Sequence, residues 1–337
     1  MNRKIFISVV VICIIAGLIW FSQKQAQVKR PEEFKGITDK LTIGFYPANS
    51  NALLFIAERQ GFFSHEGLGV TLRAYPTGKQ ALKGMYDGEV SLSTVGDMAI
   101  VFNSFEKQDF SIFATVGSSE NEFKIVANKE KVKGPEDFKG KHIATVKGTQ
   151  MNFFMHLFLR KHGLSDNESQ ISFMPAEELP QALVTGQIDA ASTREPIISQ
   201  AKRLLGDNAL VFEEPGFFTA TANLTALNNF IKDKPGVIKR ILKGLIEAEG
   251  FIRSHPDQAI KIVADKMKVS ESEAARFWQE HNLRVSLSQS LILVLEDEAR
   301  WIIGSRLTDK KVIPNYLNFI YLDGLDAVKP DAVTIIR

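Results

Sequence analysis

A hydroxyl and a carboxylate recur three residues apart at two places in this chain. Thr94 and Asp97 close the run Gly88-Glu89-Val90-Ser91-Leu92-Ser93-Thr94-Val95-Gly96-Asp97, and Ser192 and Glu195 close Gly186-Gln187-Ile188-Asp189-Ala190-Ala191-Ser192-Thr193-Arg194-Glu195. Two carboxylates facing one space could exchange protons with a substrate; with their hydroxyl neighbours they could equally hold a small polar ligand. Catalysis would need further parts. The sequence has no Gly-x-Ser-x-Gly elbow, no P-loop and no Gly-x-Gly-x-x-Gly fingerprint. Its histidines, His65, His142, His156, His162, His255 and His281, never fall at His-x-x-x-His spacing. Neither a cofactor nor a metal is expected, and the pattern reads as a binding site in duplicate.

The elements that must position these residues are also duplicated. Each copy reads as helix, glycine turn, short apolar strand, polar cap and new helix. Upstream, Leu41 to Phe45 and His142 to Val146 are strands running into polar loops, followed by the strands Val70-Thr71-Leu72 and Ile171-Ser172-Phe173. Two βαβαβα units predict an α/β protein with two lobes, each a mostly parallel sheet flanked by helices. Ligands of such sheets lie beyond the carboxyl ends of the strands, where helix N-termini direct their amides. Asn49 and Ser50 are candidate N-caps for a helix near Asn51, and Thr77 for one whose Gly78 lets a ligand approach closely. Gly96-Asp97, Gly148-Thr149-Gln150 and Arg194-Glu195-Pro196 open further helices. Strands are expected at Ile112 to Val116, at Lys124 to Ala127, and at Thr219 to Leu227 as a return to the first lobe. Crossings near 127–134 and 213–223 would then form a hinge. The expected organisation is lobe one over 40–129, lobe two over 130–219, and a return to lobe one with C-terminal helices over 220–337.

With 337 residues, 45% of them hydrophobic, the chain can fill two cores. A net charge of +2 and the lack of a basic helix or zinc-finger spacing argue against a nucleic-acid partner. Arg3 and Lys4 precede an apolar run from Ile5 to Phe21, and no good cleavage site follows. Residues 1–22 therefore read as an uncleaved membrane anchor in preference to a cleaved signal peptide, and 23–39 as a polar tether. The only cysteine, Cys13, lies in the apolar run, so no intramolecular disulfide can form.

Taken together, Gly44-Phe45-Tyr46-Pro47, Glu58-Arg59-Gln60-Gly61-Phe62-Phe63, Pro76-Thr77-Gly78, Asp87-Gly88-Glu89-Val90, Thr94-Val95-Gly96-Asp97, Lys147-Gly148-Thr149 and Gly186-Gln187-Ile188-Asp189-Ala190 resemble the solute-binding proteins of nitrate, sulfonate, taurine and thiamine-precursor importers. The resemblance runs from about Lys40 to the end and implies the periplasmic-binding-protein type II fold. It implies a monomeric, extracytoplasmic, hinge-closing receptor that passes a small solute to an ABC permease and its ATPase. Carried onto this chain, the family's ligand contacts select Tyr46, Asn49, Thr77, Gly78, Thr94, Asp97, Thr149, Gln150 and Glu195, with Asn223 on the return strand. Arg194 departs from the family pattern and is expected either to bind an oxyanion or to pair with Glu195. Helix N-termini and Arg194 favour an anion, whereas Asp97 and Glu195 favour a cation, so the expected solute is a small organic anion or a zwitterion such as taurine. The alternatives are a membrane-anchored sensor of the same fold and a thiamine-pyrimidine synthase, although that enzyme's cysteine-rich motif has no counterpart here.

Overall fold

The computed structural model describes residues 39–336, so the anchor expected over 1–22 and all but the last residue of the tether over 23–39 lie outside the described residues. Among the described residues no helix is long and apolar enough to cross a membrane.

The chain begins with β1 (Asp39–Phe45), a 3₁₀ turn at Asn49–Asn51, α1 (Ala52–Gln60), α2 (Phe62–His65), β2 (Leu68–Ala74), α3 (Gly78–Tyr86), β3 (Leu92–Gly96) and α4 (Asp97–Ser104). The long strand β4 (Phe110–Ser119) and then β5 (Phe123–Asn128) follow. The second unit comprises β6 (His142–Thr145), α5 (Gln150–Lys161), β7 (Gln170–Phe173), α6 (Leu179–Val184), β8 (Ala190–Arg194), α7 (Ile197–Leu205) and β9 (Ala209–Phe212). After β10 (Ala220–Leu227) come α8 (Asn228–Asp233), α9 (Pro235–Ser254), α10 (Pro256–Met267), α11 (Glu271–Gln279), β11 (His281–Asn282), α12 (Gln289–Gly304) and α13 (Asp323–Asp326).

Two mixed sheets result, ordered β11-β4-β10-β3-β1-β2 and β7-β6-β8-β5-β9. The duplication extends to register: β1 pairs parallel with β3 through Ile43↔Leu92, and β6 with β8 through Ile143↔Ala190. The parallel order holds within each three-strand unit, while β10 and β5 run antiparallel to their neighbours. These two are the strands that enter each sheet from the other one.

The first crossing lies earlier in the chain than 127–134. The chain leaves the first sheet after Ser119 and enters the second at Phe123, so β5, assigned above to lobe one, belongs to the second sheet; the return runs between Phe212 and Ala220. The burial of β5 explains the placement. Phe123, Ile125, Val126 and Ala127 are all buried, and a strand covered on both faces belongs inside a sheet, here between β8 and β9. Its side chains alternate between two cores, Ile125 and Ala127 facing the large one and Val126 the smaller one beneath α6 and α7.

Local chemistry sets several helix starts. Thr77 and Thr149 cap α3 and α5 by accepting from the amides of Gln80 and Asn152, and Ser270 with Glu273 forms the capping box of α11. Asn49 does not cap α1. It opens the 3₁₀ turn, and the buried Asn51 turns its amide back to donate to the Tyr46 carbonyl at 2.8 Å. This turn presses against β4 so closely that a methyl group on Gly117 would come within 2.3 Å of the Ser50 carbonyl oxygen. Lys268 closes α10 in the left-handed region, with φ of 57°. Lys268→Gly relieves that conformation and is expected to raise stability by up to about 1 kcal/mol in urea unfolding.

Candidate functional site

The loops after β1, β2 and β3 meet those after β6 and β8 where the two sheets face each other. Tyr46 follows β1 directly and is only 8% exposed. It packs on the first turn of α3, where a methyl group on Gly78 would come within 3.2 Å of its ring and 3.3 Å of the Gly96 amide nitrogen. Glycine there lets the loops pack this closely without displacing either neighbour, and burial pushes the Tyr46 phenol well above its ordinary range. Thr77 is exposed and Asn49 half-buried at the rim.

Asp97, the first residue of α4, is completely buried. Its carboxylate accepts from the Thr221 amide at 3.0 Å and the Thr221 hydroxyl, from Asn223 Nδ2 at 3.1 Å, and from Gln150 Nε2 at 2.9 Å. Asn223 is oriented in turn by Thr115, whose hydroxyl donates to its Oδ1 at 2.7 Å. Burial pushes the Asp97 carboxyl up to about 7 against the lowering effect of Thr221 and Asn223, and the charge of Glu122 adds to the rise. Gln150 belongs to the second unit, so this carboxylate ties the two sheets together instead of presenting free oxygens. Thr94, three residues earlier on β3, is fully buried with its hydroxyl unpartnered. Its counterpart Ser192 donates to the Met151 carbonyl at 2.7 Å.

Arg194 does not pair with Glu195. Successive residues of an extended segment point to opposite sides, and Arg194 Nη1 donates instead to Glu122 Oε1 at 2.9 Å, with its guanidinium 6.0 Å from the centre of the Tyr46 ring. Glu195 turns away toward α7, where it accepts from the Ser199 amide at 3.0 Å and hydroxyl at 2.9 Å, and from Arg276 of α11 at 3.2 Å. The expected proline in the first turn of α7 stands just before it, as the N-cap Pro196. The carboxylates that matched in the sequence thus have different surroundings. Asp97 is enclosed by donors of both lobes, and Glu195 caps its own helix.

Tyr46, Gly78, Asp97, Gln150, Arg194 and Asn223 are brought together; Asn49 and Thr77 stay at the rim, and Thr149 serves α5 as its cap. Sequence reading missed Glu122, Thr221 and Lys124. Lys124, almost buried on β5, bridges Glu213 at 3.0 Å and Glu280 at 2.9 Å, which joins both crossings to the end of α11. Burial alone would lower its ammonium, but these two carboxylates raise it. The signal available was the acidic triplet Glu120-Asn121-Glu122 between two apolar strands, which marks the first crossing.

Two hollows lie away from this centre. One, of about 860 Å³, lies among Lys40, Val70, Glu89 and Phe230; the other, of about 1060 Å³, is lined by α5 and α12 near Phe153, Phe218 and Trp301. Among the described residues no cluster of three or more His, Cys, Asp or Glu could hold a metal ion.

Known proteins share this architecture. A protein of Escherichia coli (strain K12) named "Putative aliphatic sulfonates-binding protein" is 25% identical over 257 residues, covering 75% of this chain and 77% of its own. The crystal structure of the periplasmic aliphatic sulphonate binding protein SsuA from Escherichia coli matches with a TM-score of 0.71 and 20% identity, over 84% of this chain and 97% of that one. The desulfurization enzyme DSZB matches with a TM-score of 0.62 and 14% identity, over 86% and 98%. One fold thus carries a binding protein and an enzyme, and likeness at these identities speaks of fold alone. A family profile described as "NMT1/THI5 like" matches residues 48–259. That match takes in more than half of the chain, from the turn after β1 through both crossings into α10, and the chain belongs to the NMT1/THI5-like family.

Proposed function

We propose that this protein is the extracytoplasmic receptor of an ABC-type importer, held at the membrane by its N-terminal segment, and that it binds a small organic anion or zwitterion between two lobes that close about a hinge. The observation that carries this reading is the interlobe contact itself. Gln150 of one unit donates to Asp97 of the other beside the Tyr46 and Arg194 side chains, at the strand ends where helix N-termini converge. The names of the sulfonate-binding relatives support the solute class. In this reading lobe one comprises the first sheet with the C-terminal helices and lobe two the second sheet. Parting the Gln150 and Arg276 contacts opens the space that the solute fills.

Thermal unfolding of the full-length chain in detergent, scanned against alkanesulfonates, aminosulfonates, nitrate, amino acids and thiamine pyrimidines, tests the proposal. A solute at about a hundred times its dissociation constant is expected to add roughly 2.7 kcal/mol, which raises the melting temperature by several degrees. A stabilising aminosulfonate or sulfonate that is recovered unchanged fits a receptor. Turnover of that solute, or indifference to every compound in the panel, contradicts it.

A further inference from the structure

We propose that Glu122 sets the charge preference of this site, so that the receptor discriminates in favour of a solute carrying an ammonium group beside its oxyanion and against the simple anion of the same size. The inference rests on the receptor reading above and concerns a residue that neither the duplicated motif nor the resemblance selects.

The pairing of Glu122 with Arg194 is built into the backbone. In the antiparallel pair β5–β8, Phe123 at the start of β5 stands opposite Arg194 at the end of β8, so the bend just before β5 brings Glu122 beside Arg194. Glu122 is mostly buried, with its side chain 15% exposed, whereas that of Arg194 is 32% exposed. The contact is single: Nη1 meets Oε1 at 2.9 Å. A guanidinium has five N–H donors and a carboxylate two oxygens, so each partner keeps capacity for a ligand. The Tyr46 ring lies 6.0 Å from the guanidinium, and the charge of Glu122 reaches both Tyr46 and Asp97, acting to raise each of them. Donor and acceptor therefore stand side by side at the strand ends.

A simple anion that approached Arg194 would meet a guanidinium whose charge Glu122 already balances, and it carries no group to answer the carboxylate. A zwitterion meets both halves. Its oxyanion takes the remaining N–H groups of Arg194, its ammonium donates to the carboxylate of Glu122, and the existing pair need not break. Asp97 cannot do this in the arrangement described, because protein donors already occupy both of its oxygens, and Glu195 is turned away toward α7 and α11.

The test compares taurine with ethanesulfonate, which has the same carbon chain and sulfonate without the amine, by isothermal titration of the full-length protein in detergent. Wild type is expected to bind taurine at least tenfold more tightly. Glu122→Gln is expected to erase or invert that ratio, weakening taurine and tightening ethanesulfonate, while Glu122→Asp, which keeps the charge, retains the preference. The melting temperature of each variant without ligand verifies its fold. A taurine-to-ethanesulfonate ratio that Glu122→Gln leaves unchanged overturns the role of Glu122 and leaves the receptor reading intact. Failure of wild type and both variants to bind either compound overturns both.

Discussion

Asp97→Ala is expected to lower the unfolding free energy by about 3 kcal/mol, among the largest effects of any single substitution at this site. The carboxylate is fully buried and accepts from the Thr221 amide and hydroxyl, Asn223 and Gln150. Truncation leaves three N–H donors without an acceptor in a space closed to bulk water, each costing about 1 kcal/mol or more. Asp97→Asn is expected to lose less, because its carbonyl oxygen can take the Thr221 amide and Gln150 while its amide nitrogen faces the Thr221 hydroxyl, which can turn to accept, and the Asn223 amide, which cannot. Urea unfolding of the two variants measures the loss. A change below about 1 kcal/mol in both would contradict the described network. Asp97→Ala also removes the Gln150 contact across the sheets, so limited proteolysis at the crossings should quicken in parallel.

The second large effect concerns Glu298 on α12. It is wholly buried, and neither carboxylate oxygen has a hydrogen-bond partner in the structure. Burial pushes its carboxyl well above the ordinary range, and the charge of Asp97 adds to the rise. An acid whose pKa is raised by folding retains a proton that the unfolded chain has lost. Its stabilising effect is therefore complete below the unfolded value near 4.5 and declines as pH rises toward the folded value. Each pH unit in that window costs about a factor of ten in the folding equilibrium. Asp97 acts in the same direction between 3.8 and about 7. Glu298→Leu, which fills the space without a charge, is accordingly expected to melt higher than wild type at pH 8, with the advantage shrinking toward pH 4.5. Glu298→Gln should show the same trend with a smaller gain, since its amide still needs partners. Melting curves at pH 4.5, 6 and 8 decide the matter, and a difference that does not vary with pH would rule out ionisation as its source.

The periodic parts of this molecule were legible without coordinates. The strands at the repeat, the βαβαβα duplication, the cap at Thr77, the helix start at Thr149 and the return strand at Ala220–Leu227 all follow from patterns a few residues long. Such patterns arise from side-chain alternation along strands and unpaired amides at helix starts, which neighbouring residues settle among themselves. Tyr46, Gly78, Asp97 and Gln150 were accessible for the same reason, as each stands at a strand end or helix start.

Pairing between distant segments was not legible. The sheet that receives Phe123–Asn128, the choice of Glu122 over Glu195 as partner of Arg194, and the donors around Asp97 were decided only by the tertiary structure. Thr221 lies 124 residues from Asp97, and no local preference selects one hydroxyl among many at that separation. The two matched carboxylates show the limit most clearly. Asp97 and Glu195 occupy equivalent places in the repeated sequence, yet β10 runs beside one helix start and α11 approaches the other, so burial and hydrogen bonding give them different chemistry. The local chain determined where polar groups would gather; the packing of the crossing strands and C-terminal helices determined which were used up by the protein and which remain for a ligand.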